Sequence, residues 1–178
     1  MTKESRHVVP VLPATSLLRD EGLINSSFRP ADTEPDLISG GDDGGVTGAS
    51  RSQRTHYLAT GLSTGGEFGL YRIDMPSNGR GPSTHFHRTI SESFFILSGT
   101  IRLFNGEKWI DGTPGDFLYV PVGGLHAFHN ASDAPASMLL LFTPGAPRED
   151  YFAGFAQLAN MSAEEQQDFY LRHDNHWI

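Results

Sequence analysis

Between Thr55 and Phe142 apolar and polar residues alternate in short runs with a period of two, the pattern of strands with one face buried. The runs predict nine strands: Thr55–Gly61, Phe68–Met75, Ser83–His87, Ser93–Leu97, Ile101–Phe104, Glu107–Ile110, Phe117–Val120, Ala127–Asn130 and Ser137–Phe142. STGG, PSNGRGP, NGEK, DGTPGD and ASDAP lie between them and are turn-forming. Asn105-Gly106, between IRLF and EKWI, is the clearest cue for a two-residue hairpin. No helical pattern interrupts the series, so the fold class is all-β, a sandwich or a small antiparallel β-barrel.

The pattern changes at both ends. From Pro147 to Ala159, Tyr151, Phe152, Phe155 and Leu158 fall at helical spacing. Ser162 followed by Glu165 is a capping box that opens a second helix to about Leu171. The aromatic face of this extension is expected to pack on the barrel or on a second subunit. At the other end Pro10, Pro13, Pro30 and Pro35 break any regular element, and Ser39–Ser50 is a glycine-rich, flexible tract. His7–Leu12 could add an edge strand, limited by Pro10. The expected organisation is an arm over 1–53, a barrel over 54–145 and a helical extension over 146–178.

Composition narrows the partners. A formal charge of −8 argues against nucleic acid or an anionic membrane surface. No apolar run approaches the ~18 residues of a membrane span, and MTKESRHVVPVLPATSLL lacks the apolar core of a signal peptide. With no cysteine, disulfides and thiolate ligands are excluded, and a cytoplasmic location is the expectation. Twelve Phe supply rings for a barrel core. The arm and the aromatic helix favour a homodimer.

The candidate chemistry sits in two glycine-bounded segments. GRGPSTHFHRTISESFFILSG, Gly79 to Gly99, holds His85, His87 and Glu92. GDFLYVPVGGLHAFHN, Gly115 to Asn130, holds Pro121, Gly123 and His126. Residues two apart on a strand share a face, so His85 and His87 project together with Phe86 turned away. Glu92 opens the next strand, where a hairpin could return its carboxylate to the imidazoles. Three imidazoles and one carboxylate suit a divalent transition metal, iron, nickel, manganese, copper or zinc, better than calcium or magnesium. With Glu92 inward, Phe94 and Ile96 face inward too, and Phe128 follows His126. Phe94, Ile96 and Phe128 are therefore the candidate substrate-binding residues of an apolar, aromatic cavity for a small organic molecule. His173 and His176 are expected to be solvated.

The two segments resemble the paired signature motifs of the cupin superfamily, with no departure. The fifteen residues between them, Thr100–Pro114, resemble the short spacing of microbial single-domain cupins. The overall length, the Phe-rich strands and the tail RHDNHW are similar to bacterial monocupins of the quercetinase-like group. The resemblance implies a double-stranded β-helix, or jelly roll, holding one metal ion on His85, His87, Glu92 and His126. For that group it implies ring-opening dioxygenation of an enol-bearing aromatic compound, with Glu92 as ligand and general base. Two other classes fit the same residues: a non-redox cyclase or isomerase using the metal as a Lewis acid, and a ligand-binding cupin without turnover.

Overall fold

The structure is a computed structural model that describes residues 26–39, 52–146 and 148–178. The chain divides into two compact units, Met1–Ala31 and Asp32–Ile178. All elements below belong to the second. The expected strand over His7–Leu12 and the glycine-rich tract beyond Ser39 lie outside the described residues.

Among the described residues eleven strands run β1 Leu37–Ser39, β2 Gln53–Ala59, β3 Gly69–Met75, β4 His85–Phe86, β5 Ser91–Ser98, β6 Ile101–Phe104, β7 Trp109–Gly112, β8 Phe117–Val120, β9 Ala127–His129, β10 Ala136–Thr143 and β11 His176–Trp177. They form a six-stranded sheet in the order β1-β2-β3-β10-β5-β8, a three-stranded sheet β7-β6-β9, and the pair β11-β4. Every pairing is antiparallel.

Alternation places the core. Along β3, Tyr71, Ile73 and Met75 are buried, and along β10 so are Ala136, Met138, Leu140 and Phe142. The two strands are neighbours, with Met138 opposite Ile73 and Leu140 opposite Tyr71, so their apolar residues share one face. Phe94 and Ile96 of β5, Ile101 and Leu103 of β6, Val120 of β8 and Phe128 of β9 close the cluster. Each such side chain contributes about 1.5–3 kcal/mol on burial, which makes this face the main source of stability.

Several boundaries differ from the sequence pattern. β1, within the expected arm, joins the large sheet through Leu37–Ser39 against Thr55–Gln53. Asn105-Gly106 does not close a two-residue hairpin. Phe104 pairs with Trp109, leaving a four-residue loop. In it the Asn105 carboxamide oxygen accepts from the Glu107 and Lys108 N–H groups, an Asx-type turn that outcompetes the tighter one.

The helical extension begins as α1, Arg148–Gly154, and continues as a 3₁₀ segment, Phe155–Asn160, rather than one helix. α2, Ala163–Arg172, carries the expected capping box between Ser162 and Glu165. α1 packs on the six-stranded sheet through Phe152, whose ring meets Tyr71 of β3 edge-on at 5.2 Å. The Tyr71 hydroxyl donates to Glu149. Burial and the Glu149 carboxylate push the Tyr71 pKa far above its ordinary value.

Candidate metal centre

β4 supplies His85, and His87 follows one residue beyond its end; both rings are buried. His85 and His126 exchange both backbone hydrogen bonds, at 3.0 and 2.9 Å, which fixes the two rings side by side. Glu92, second residue of β5, comes from the neighbouring sheet and is 3% exposed. One ligand atom from each of the four residues lies within 4.8 Å of the others.

The motif glycines and asparagine explain how these strands approach. A Cβ on Gly81 would fall 1.8 Å from the Phe128 carbonyl oxygen, so only glycine lets this loop lie against β9. Gly123, at φ +81°, donates its N–H to the His87 carbonyl at 2.7 Å. Asn130 is a loop staple: its amide donates to the Pro76 and Ala134 carbonyls, and its oxygen accepts from Ser132.

Each imidazole is oriented by a backbone carbonyl. Nδ1 of His85 donates to Ser83 at 2.9 Å, Nδ1 of His126 to Gly124 at 2.9 Å, and Nδ1 of His87 to Asp174 at 2.7 Å. In a neutral ring that bond leaves Nε2 as a lone pair. Yet Nε2 of His126 and of His87 stand 2.8 and 3.2 Å from Glu92 Oε2. Lone pairs so placed against a carboxylate oxygen call for a cation among them, a proton on His126 or a metal ion shared by the cluster. The donor set therefore fits a divalent transition metal, held by three Nε2 atoms and one Glu92 oxygen.

Electrostatics agree. Burial, reinforced by the charge of His126, lowers the His85 pKa to about 3, keeping its ring neutral. Burial alone would raise the Glu92 pKa, but His126 and His87 outweigh it and hold the carboxyl well below its usual range. Burial opposes a proton on His126, and the Glu92 carboxylate overcomes it, raising that pKa.

A cavity of about 740 Å³ opens beside the cluster, with His85 and Glu92 in its wall. Phe128 lines it together with Ile73, Leu140, Phe142, Phe152, Phe155 and Trp177. Phe94 and Ile96 point inward as their register requires but pack into the core, 1% and 0% exposed, outside that lining. Phe94 instead buttresses the ring of His126, centroids 6.0 Å apart.

The C-terminal tail completes the wall, which the sequence pattern did not indicate. Trp177 of β11 pairs with His85 and lays its ring against that imidazole at 4.9 Å. The Asp174 carboxylate accepts from the N–H groups of Arg88 and Thr89 and from the Thr89 hydroxyl, pinning the turn after His87. His173 and His176 are half-buried rather than solvated, His176 stacking on Phe86 at 5.0 Å. The only advance sign of this was the polar and aromatic run RHDNHW.

Residues 71–142 match the family model for the cupin domain. That stretch carries the cupin fold. Quercetin 2,3-dioxygenase of Bacillus subtilis (strain 168) is 30% identical over 92 residues, 52% of this chain but 26% of that protein. The chain thus matches about a quarter of that relative's length. A predicted oxalate decarboxylase from Thermotoga maritima superposes with a TM-score of 0.55 at 18% identity, over 67% of this chain and 99% of its own, and shows the shared fold. A sugar phosphate isomerase from a cupin superfamily, from Silicibacter pomeroyi, aligns at 26% identity over 51% of this chain and 59% of its own, with a TM-score of 0.46. Among the described residues no helix is long and apolar enough to cross a membrane.

Proposed function

We propose that this chain is a metal-dependent dioxygenase acting on a small aromatic or enolic compound. The observation that carries the reading is the opening of a three-histidine, one-carboxylate cluster onto a cavity of about 740 Å³ walled by rings. That volume suits a flat organic molecule rather than a polymer. The likeness to quercetin 2,3-dioxygenase supports the same class.

A redox-active metal, when bound, supplies open positions for dioxygen and for substrate oxygens. The protein's own residues do the rest. His85, His87 and His126 hold the ion, each fixed in one tautomer by its carbonyl. Glu92 is kept ionised by the flanking histidines, as a general base must be, and takes the proton of a substrate hydroxyl. Phe128, Phe142 and Trp177 position the ring and exclude water.

The test is oxygen uptake by protein reconstituted in turn with iron, nickel, manganese, copper and zinc, against a panel of flavonols and 1,3-diketones. Uptake with at least one redox-active metal, absent with zinc, supports the reading. If no combination consumes oxygen, the reading fails and a Lewis-acid cyclase or isomerase on the same residues replaces it.

A further inference from the structure

Among the described residues, Arg148 is the one buried Arg, Lys, Asp or Glu that the metal cluster does not explain. It stands at the start of α1, is 3% exposed, and lines the cavity that holds His85 and Glu92. Its guanidinium lies over the Tyr151 ring at 4.0 Å and the Phe142 ring at 4.9 Å. Nη1 donates to the His173 carbonyl at 2.7 Å and to the Asn175 carboxamide oxygen at 3.0 Å. Nε has no hydrogen-bond partner, and no carboxylate among the described residues forms an ion pair with this group.

A structural role accounts for only part of this. The Nη1 bonds tie α1 to the tail, and a neutral donor would serve equally well there. A buried cation with no anion in contact is costly, and proteins normally pair it directly; Glu92 and Asp174 act on Arg148 only from beyond ion-pair distance. The charge inventory of the cavity points the same way. Its lining holds two cations, Arg148 and the exposed Arg80, against one acid, Glu92. A divalent ion on the cluster adds to that excess. The pocket is thus cationic in a chain of net charge −8. Trp177 Nε1, on the same wall, is a second buried donor without a partner.

We propose that Arg148 is a specificity-determining residue whose guanidinium receives an anionic oxygen, carboxylate or enolate, of a small planar ligand lying between it and the metal cluster. The ligand's anionic oxygen supplies the missing counter-charge through charge-assisted bonds from the guanidinium, and Phe142 and Trp177 contact the ring. This rests on the cavity being the substrate site and deepens that reading, since it selects ionised substrates over neutral isosteres.

Binding without turnover tests it. Metal-free protein is titrated by calorimetry with benzoate, with benzamide as its neutral isostere, and with the cyclic 1,3-diketone dimedone as an enolate. Wild type should bind benzoate or dimedone about tenfold tighter than benzamide, the size of one charge-assisted bond. A preference for benzoate alone assigns a carboxylate, and for dimedone alone an enolate. Arg148→Met, which keeps the stem but not the charge, should bring the anions to within about twofold of benzamide, while Arg80→Gln keeps the preference. Equal affinity of wild type for all three probes overturns the proposal, whether or not Arg148→Met folds. So does a preference that survives in folded Arg148→Met. Neither outcome depends on oxygen uptake, so the dioxygenase reading can fail while the anion site stands.

Discussion

The backbone carbonyl of Asp174 accepts the Nδ1 proton of His87 at 2.7 Å, so a candidate metal ligand in the first motif is aimed by a residue of the C-terminal tail. The same residue's carboxylate ties down the turn of Arg88 and Thr89. Tail and ligand loop thus form one hydrogen-bonded unit.

Asp174→Gly removes that carboxylate while accepting the residue's φ of +57°, so the backbone itself is not strained. Metal affinity should fall about 10–100-fold, the usual cost of losing support behind a ligand. Competition against a chromophoric chelator measures it. Asp174→Asn, which keeps one acceptor oxygen, should fall less. Unchanged affinity in the glycine variant would show that the carboxylate's hold on Arg88 and Thr89 does not matter to how the Asp174 carbonyl aims His87.

His85→Ala and His126→Ala should each lose most of the metal while the sheets remain folded, because neither ring is a member of the apolar core cluster. Elemental analysis and far-UV circular dichroism together decide this. Full metal content in either variant removes that residue from the ligand set. In wild type, occupancy should drop on acidification as protons compete first for His126, whose pKa is raised, and only near about pH 3 for His85.

Glu92→Gln separates coordination from catalysis. The amide can still offer an oxygen to the ion but takes no proton. Metal should be largely retained and turnover lost by about 10²–10⁴. A variant running near wild-type speed makes Glu92 a structural ligand only.

His85 gives the metal-free protein an acid-sensitive component. Its folded pKa, about 3, lies below the ordinary histidine value, so between the two the unfolded chain holds the extra proton. The stability it contributes is complete above about pH 6.5 and is lost as pH falls toward 3. His126 works in the opposite sense, since its pKa is raised and its contribution fades as pH rises. Between pH 7 and pH 5, His85→Gln should therefore lose less stability than wild type, by about 2 kcal/mol, or roughly 4–8 °C in Tm. Parallel melting curves for the two proteins would show that burial does not hold His85 neutral.

The strands were legible because their alternation has a short-range cause, and the convergence of His85, His87, Glu92 and His126 because all four stand at fixed places in two short segments. Alternation in GLYRIDM and ASMLLLFT follows from a pleat with one buried face, and Ile101–Phe104 and Phe117–Val120 fall where their residues put them. The wall opposite the ligands was not legible. Trp177 reaches His85, and Arg148 reaches the cavity, only because β11 folds back onto β4 and α1 onto Tyr71 and Phe142, contacts with no local period to betray them. Phe94 illustrates the converse: register gave its direction correctly, but not whether a cavity or a neighbour such as Phe128 lay beyond the ring.

The bond from His87 to Asp174 spans 87 positions of the chain. Hairpins such as β6-β7 close within a few residues, so they form early, whereas this contact waits until the intervening sheet exists to bring its ends together. The ion-binding geometry is consequently among the late events of folding. Metal capture during refolding, followed with a fast-responding chelator dye, becomes a clock for that long-range step, and a chain with a native-like sheet but an undocked tail registers on it as empty.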